Sequence, residues 1–166
     1  MATLNEGGAL RVGNKRFMIS LPFEGAFGDP QLFANPFLTG LLSKLLSKSY
    51  ILGSLTAVAS LPGSADQSIH RDNPRLFPDT PELELPSFSI ALIVPLVALN
   101  AETGATRVFK GSHRSEKEGL PHQDPIVPLG SCYLMDCRLR HQGLANRSDS
   151  IRPILSLVYQ RAWYRD

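Results

Sequence analysis

Cysteine is scarce in this chain. Its two cysteines, Cys132 and Cys137, lie five residues apart, too few and too close for a disulfide framework or a zinc site. Both are read as free thiols of a reducing compartment. Long apolar runs are lacking: no stretch approaches the roughly 18 uninterrupted apolar residues of a membrane span. The opening segment, Met1 to Gly8, has no signal-peptide core, so a cytoplasmic, membrane-free protein is the expectation. Excess charge of one sign is missing as well. The formal net charge is +2, too small to mark a nucleic-acid binder. Twelve of the 17 basic residues are arginine, six of them between Arg138 and Arg165, and strand arginines commonly just face solvent. No repeat or low-complexity tract is visible. Hydrophobic content of 43% against 19% charged residues excludes a disordered chain.

What is present fits one domain over residues 1–166, long enough to bury a core without staples. Residues 1–35 form an irregular N-terminal segment rich in glycine and proline, with a short strand at Phe17 to Ile19 and a loop from Leu21 to Pro30. A helix follows. Asn35 is its N-cap, Pro36 its first residue, and Leu38, Leu41, Leu42, Leu45 and Leu46 form one stripe that predicts packing on a sheet. From Tyr50 the pattern turns to strands: Tyr50 to Ala59, a continuous apolar run from Phe88 to Leu99 interrupted at Pro95, Thr106 to Phe109, three short pieces between Ile126 and Gln142, and Ile151 to Tyr164. The stretches 73–87 and 111–125 read as long loops and as the expected walls of a substrate site. One helix followed by about eight strands predicts a mainly β fold, a jelly roll or barrel with at least one flanking α-helix.

The chemistry gathers at Gln67-Ser68-Ile69-His70-Arg71-Asp72. On a strand, residues i and i+2 share a face, so His70 and Asp72 can grip one metal ion. His141 is the candidate third ligand. Two histidines and a carboxylate on one face, with the other positions open, suit non-haem Fe(II) oxygenases. A His-x-acid pair alone is weak, since random placement gives about 0.4 of them in a chain of this composition. This chain holds two. His122-Gln123-Asp124 sits between prolines in a loop, only 17 residues before His141, whereas Asp72 precedes it by 69. The first pair is therefore favoured, and the second is expected to be a solvated loop. Arg152, 11 residues after His141, can clamp a carboxylate through two parallel hydrogen bonds. Ile154 and Ser156 share its strand face.

In this order the residues resemble the phytanoyl-CoA dioxygenase (PhyH-like) family of Fe(II)- and 2-oxoglutarate-dependent oxygenases. The match is carried by 67–72, by Gly104-Ala105-Thr106-Arg107, by Gly111-Ser112-His113-Arg114, by 141–148, by the spacing from His141 to Arg152, and by the ending Tyr159 to Tyr164. The resemblance implies a double-stranded β-helix (jelly-roll, cupin-like) fold, with His70, Asp72 and His141 as catalytic iron ligands and Arg152 as partner of the distal carboxylate of 2-oxoglutarate. It further implies O2 as oxidant, release of succinate and CO2, and hydroxylation of a small-molecule substrate. An intact Asp72 favours that outcome, because halogenating relatives replace the carboxylate. His113, Asn146, Arg147 and Ser148 are expected to shape turns, with Arg147 pairing an acidic neighbour, and Arg71 to point away from the metal. Gly104-Ala105-Thr106 stands where the family has Gly-Pro-Thr, and Lys110 where its Pro-Gly-Ser-His turn begins. Family members usually carry more chain at both ends, so this is either a compact member or a piece truncated at both ends.

Three other readings compete. A catalytically incomplete jelly-roll binding or scaffold module would keep the metal-site residues without releasing succinate. An oxygenase acting on nucleic-acid bases would show steeply salt-dependent binding. A non-oxidative cupin enzyme would need neither Arg152 nor 2-oxoglutarate.

Overall fold

The computed structural model describes residues 8–80 and 83–164. Two strands, β1 (Leu10–Gly13) and β2 (Arg16–Ser20), precede a 3-10 turn at Gly25–Gly28 and a short helix, α1 (Pro30–Phe33). The main helix, α2 (Pro36–Leu46), starts as its sequence dictates: the Asn35 side chain accepts the Leu38 amide, and Pro36, with no amide to satisfy, occupies the first turn. Seven strands follow: β3 (Tyr50–Ser60), β4 (Ser89–Pro95), β5 (Thr106–Phe109), β6 (His122–Gln123), β7 (Tyr133–Asp136), β8 (His141–Gly143) and β9 (Arg152–Arg161). They form a six-stranded sheet ordered β1-β2-β3-β9-β4-β7 and a three-stranded sheet ordered β6-β5-β8. All pairings are antiparallel. The architecture is a mainly β double-stranded β-helix flanked by α2.

The large sheet separates two apolar layers through its two-residue period. On the outer face, Leu155, Leu157 and Tyr159 of β9, Ile90 and Leu92 of β4 and Leu55 of β3 pack against Leu38, Leu42 and Leu46 of α2. The inner face carries Ala91, Ile93 and Ile154, which join Leu99, Val127 and Cys137 between the sheets. The helix stripe is narrower than its leucine content implies. Leu42 and Leu46 are fully buried, while Leu41 and Leu45 remain 52% and 40% exposed, because a helix lying on a sheet offers it one row at i, i+4 and i+8.

Several boundaries differ from the sequence reading. β1 was not expected, and β4 stops at Pro95 because that residue brings no amide to the ladder. The 111–125 stretch contains β6, which pairs with Val108 and Phe109. The turn after β4 is built by Asn100, whose side-chain oxygen accepts the amides of Glu102 and Thr103. Gly104 closes it at φ +86, where any Cβ would meet the carbonyls of Leu144 and Ala145. Among the described residues, no helix is long and apolar enough to cross a membrane.

Candidate metal centre

His70 and His141 come together as a directly opposed backbone pair, an isolated antiparallel bridge. The surrounding segment is not the regular strand its spacing suggests. The Gln67 amide reaches the Gly143 carbonyl, but the Gly143 amide is taken by the Gln67 side chain at 3.0 Å. Beyond His70 the chain bends, and the amides of Asp72 and Asn73 both donate to the Cys137 carbonyl. That bend carries the Asp72 carboxylate over the two imidazoles. Asp72 Oδ1 lies 3.8 Å from His70 Nε2 and 3.5 Å from His141 Nε2, and one ligand atom from each residue falls within 4.8 Å of the others.

The ring orientations are set from behind. His70 Nδ1 lies 2.8 Å from the Ser68 carbonyl and His141 Nδ1 lies 3.0 Å from that of Leu139. A carbonyl only accepts, so each Nδ1 carries a proton, and Nε2, on the Asp72 side, is the nitrogen left to hold a metal. Burial pushes the His141 pKa below its ordinary value, against the opposing pull of Asp72 and the Leu139 carbonyl. His141 is thus neutral near pH 7, the form a metal requires. Two nitrogen donors and one carboxylate suit Fe(II) with open positions, and fall short of the four-ligand closure of a structural zinc site.

All three residues line a cavity of about 530 Å³ between the sheets. Arg152 lines it too, at 1% exposure, with Nε and Nη2 buried and without a partner. Burial pushes its pKa down, partly offset by Tyr133. The Tyr133 hydroxyl is buried without a bond of normal geometry; burial raises its pKa, with Thr106 and Arg152 pulling against the rise. Buried donors are nearly always satisfied, so this group of orphans fits a carboxylate arriving from outside the protein.

Arg16 was missed by the sequence reading. It is 1% exposed, lines the same cavity, and donates through Nη2 to the carbonyls of Ala65, Gly143 and Leu144 at 3.2, 3.3 and 3.0 Å. Its Nε has no partner. Burial, and then the nearby Arg152, lower its pKa to about 10. Gly143 makes room for it, since a Cβ there would overlap the Arg16 guanidinium and the Gln67 side-chain oxygen. An arginine opening a strand usually faces solvent, so only the register reveals it: Arg16, Ser60 and Arg152 stand in one row across β2, β3 and β9.

The remaining singled-out residues lie elsewhere. Asp124 grips Arg107 with two hydrogen bonds of 2.7 Å. The His122–Asp124 stretch is largely solvent-exposed, as expected, but it is a short strand with an ion pair rather than a loop. Arg71 turns away from its neighbours and donates to the carbonyls of Arg138 and Ser112 and to both Glu116 oxygens. His113 Nδ1 is buried without a partner among the described residues, and His113 lines a separate cleft of about 130 Å³ together with 75–77 and 83–85. Asn146 holds its turn through the carbonyls of Ser60 and Ser150, and Arg147 forms no ion pair among the described residues, its amide meeting the Glu102 carbonyl. Among the described residues, none from 73–87 or 111–125 lines the main cavity. Its wall is made by strands, because inward side chains of β1, β2, β3 and β9 fill the positions those loops were expected to occupy.

The chain matches the model of the phytanoyl-CoA dioxygenase (PhyH) family over residues 4–154. It is 32% identical over 124 residues to the dioxygenase aneA of Aspergillus aculeatus, a match covering 69% of this chain and 41% of that protein. It thus spans about two fifths of that relative's length. Among solved structures, HygX from Streptomyces hygroscopicus with nickel, 2-oxoglutarate and hygromycin B bound aligns at a TM-score of 0.73 and 14% identity, over 98% of this chain and 75% of that one. The epimerase SnoN in complex with Fe3+, alpha ketoglutarate and nogalamycin RO aligns at 0.71 and 18% identity, over 100% and 70%. These structural likenesses establish a shared fold.

Proposed function

Because the chain belongs to the phytanoyl-CoA dioxygenase family, we propose that it is an Fe(II)- and 2-oxoglutarate-dependent oxygenase that hydroxylates a small organic molecule. One observation carries this reading: His70, Asp72 and His141 converge in the same cavity that holds Arg152 with unpartnered donors. Iron when bound would supply O2 activation, with 2-oxoglutarate leaving as succinate and CO2 while a substrate C–H becomes C–OH.

The protein's own part is positioning. His70 and His141 would hold the metal through Nε2, and Asp72 through its carboxylate. The Ser68 and Leu139 carbonyls fix both rings before metal arrives, which lowers the ordering cost of binding. Arg152 would hold the distal carboxylate of 2-oxoglutarate, with Tyr133 and Thr106 beside it. In so buried a setting a charge-assisted pair is strong, since little water competes. Arg16 lines the same cavity and adds positive potential for a dianionic co-substrate. The intact carboxylate of Asp72 favours hydroxylation over halide transfer.

The test is incubation of the protein with Fe(II), 2-oxoglutarate and O2, reading succinate, alongside Fe(II) or Co(II) binding. Metal-dependent succinate release, lost in His70→Ala, is the expected result. Failure to bind metal, with His70→Ala behaving like the parent, would sink the proposal.

A further inference from the structure

The cavity wall carries a second polar feature that the metal centre does not use. In the large sheet, Ser20 of β2 pairs with Thr56 of β3, and Thr56 pairs with Ser156 of β9. Residues directly opposite on antiparallel strands point to the same face, so three hydroxyl side chains form one row across three adjacent strands. All three line the cavity that holds His70, Asp72 and His141. Strand spacing puts successive members about 4.8 Å apart.

The row is bounded by apolar side chains. Met18, Val58 and Ile154 make the next row on one side, and Val158 lies on the other beside Ser54, a fourth hydroxyl on the same wall. Among the described residues, the Thr56 hydroxyl has only a long 3.5 Å contact to the Ser156 carbonyl. Nor does any hydrogen bond from the described residues engage the hydroxyls of Ser20, Ser54 or Ser156. Ser54, Thr56 and Ser156 are half-buried, with Ser20 exposed at the rim, and the fold needs no hydroxyl at the three half-buried positions, where valine would pack a β wall better.

Charge narrows what can sit there. The side chains lining the cavity include two guanidinium groups, Arg16 and Arg152, and a single carboxylate, Asp72. A divalent metal and a dianionic co-substrate cancel one another, so the loaded cavity keeps an excess positive charge. That potential rejects a cationic ligand. Free hydroxyls both donate and accept, so they match alcohol or carbonyl oxygens.

We propose that Ser20, Thr56 and Ser156 form the polar side of the substrate subsite, and that the substrate is an uncharged, oxygen-bearing molecule whose carbon skeleton packs on Met18, Val58 and Val158. This rests on the oxygenase reading above. The specificity wall is then the sheet itself rather than the loops around it.

The test uses the full chain loaded with Ni(II) and 2-oxoglutarate, and two probes of one skeleton: trans-cyclohexane-1,4-diol and trans-1,4-diaminocyclohexane, the latter dicationic at neutral pH. Binding is read by NMR titration, and proximity to the metal by paramagnetic broadening of probe protons. The diol is expected to bind at least about 10-fold more tightly than the diamine and to broaden. Thr56→Val combined with Ser156→Ala should weaken the diol by about 10-fold, two lost hydrogen bonds, and Thr56→Ser should retain it. Equal affinity for the two probes, no diol binding at tens of millimolar, well above a weak Kd of about 1 mM, or unchanged diol binding in the double variant would overturn the inference. So would loss of 2-oxoglutarate binding in that variant, which would put the row in the co-substrate site. Failure of the parent protein to take up Ni(II) and 2-oxoglutarate would instead fall on the oxygenase reading, and His70→Ala reports that separately.

Discussion

His70 and His141 exchange both of their backbone hydrogen bonds, each amide donating to the other's carbonyl at 2.9 Å. In such a pair the side chains emerge on one face, and here the ring centroids are 4.4 Å apart. The two proposed nitrogen ligands thus share one backbone bridge, a rigid support for both side chains. Replacing either histidine with alanine leaves the ladder intact, because its hydrogen bonds are backbone ones. His70→Ala and His141→Ala should each reduce Co(II) affinity by more than about 100-fold, beyond the loss typical of a supporting contact. The melting temperature of the metal-free protein should hold. Calorimetric titration with Co(II) checks this, and parent-like affinity in both variants would remove these residues from the site.

Arg152 is a buried charge without an ion-pair partner among the described residues, so removing it acts in opposite directions on two measurements. Arg152→Met should weaken 2-oxoglutarate binding by about 10- to 100-fold, the value of a charge-assisted pair, with little effect on metal binding. The same change should stabilise the metal-free protein by about 1–3 kcal/mol, because a well-packed apolar side chain replaces an uncompensated buried cation. Equal loss of metal and 2-oxoglutarate binding would instead indicate a damaged fold.

Much of this was legible in the sequence where local chemistry decides structure. Asn35 and Pro36 announce the start of α2 because capping is a contact within one turn. The spacing of His70, Asp72, His141 and Arg152 was readable as a pattern, and the structure brings all four into one cavity. What stayed hidden depends on partners distant in sequence. Arg16 is buried only because β2 lands beside β3 with Gly143 opposite. Asp124 is ordered only because Arg107, on the neighbouring strand, holds it. The hydroxyl row exists only once the registers of three strands are known, and no single strand shows it.

Arg71 sits between His70 and Asp72, two of the proposed ligands, and faces the other way. Its guanidinium ties the ligand segment to the carbonyls of Arg138 and Ser112 and to Glu116. Arg71→Ala should therefore lower Co(II) affinity by about 10-fold, as loss of an orienting contact does, without removing a ligand. Glu116 is more than half exposed, and its pairing is screened by salt and water. Glu116→Ala should have a clearly smaller effect, because the two carbonyl acceptors remain. A larger loss in Glu116→Ala than in Arg71→Ala would show that the carboxylate, and not the backbone contacts, sets the geometry.

The α2 contact gives a paired stability test. Leu42 is fully buried against the sheet, whereas Leu41, its neighbour in sequence, is more than half exposed. Leu42→Ala should cost about 2–5 kcal/mol through lost transfer energy and the cavity left behind. Leu41→Ala should fall within about 0.5 kcal/mol of the parent. Urea unfolding measures both. Similar costs would mean that the outer leucine row is covered in solution.

Acid sensitivity should trace in part to Asp136. Burial pushes its carboxyl pKa up, but hydrogen bonds from the Arg138 side chain, Ser87 and the Arg138 amide outweigh that, leaving it below the ordinary 3.8. Arg138 donates to both carboxylate oxygens, at 2.9 and 2.7 Å. A carboxyl whose folded pKa lies below its unfolded pKa contributes stability that is fully present above the unfolded value. That contribution is lost as pH falls through the folded one. It is therefore intact at neutral pH and fades below pH 3.8. Asp136→Asn leaves Arg138 buried without its countercharge and should cost about 3 kcal/mol at pH 7. The gap between parent and variant should narrow as pH drops from 5 toward 2, since protonation removes the same charge from the parent. Urea unfolding of both proteins across that range decides the matter: parallel stability curves would mean that Asp136 does not change its protonation on unfolding.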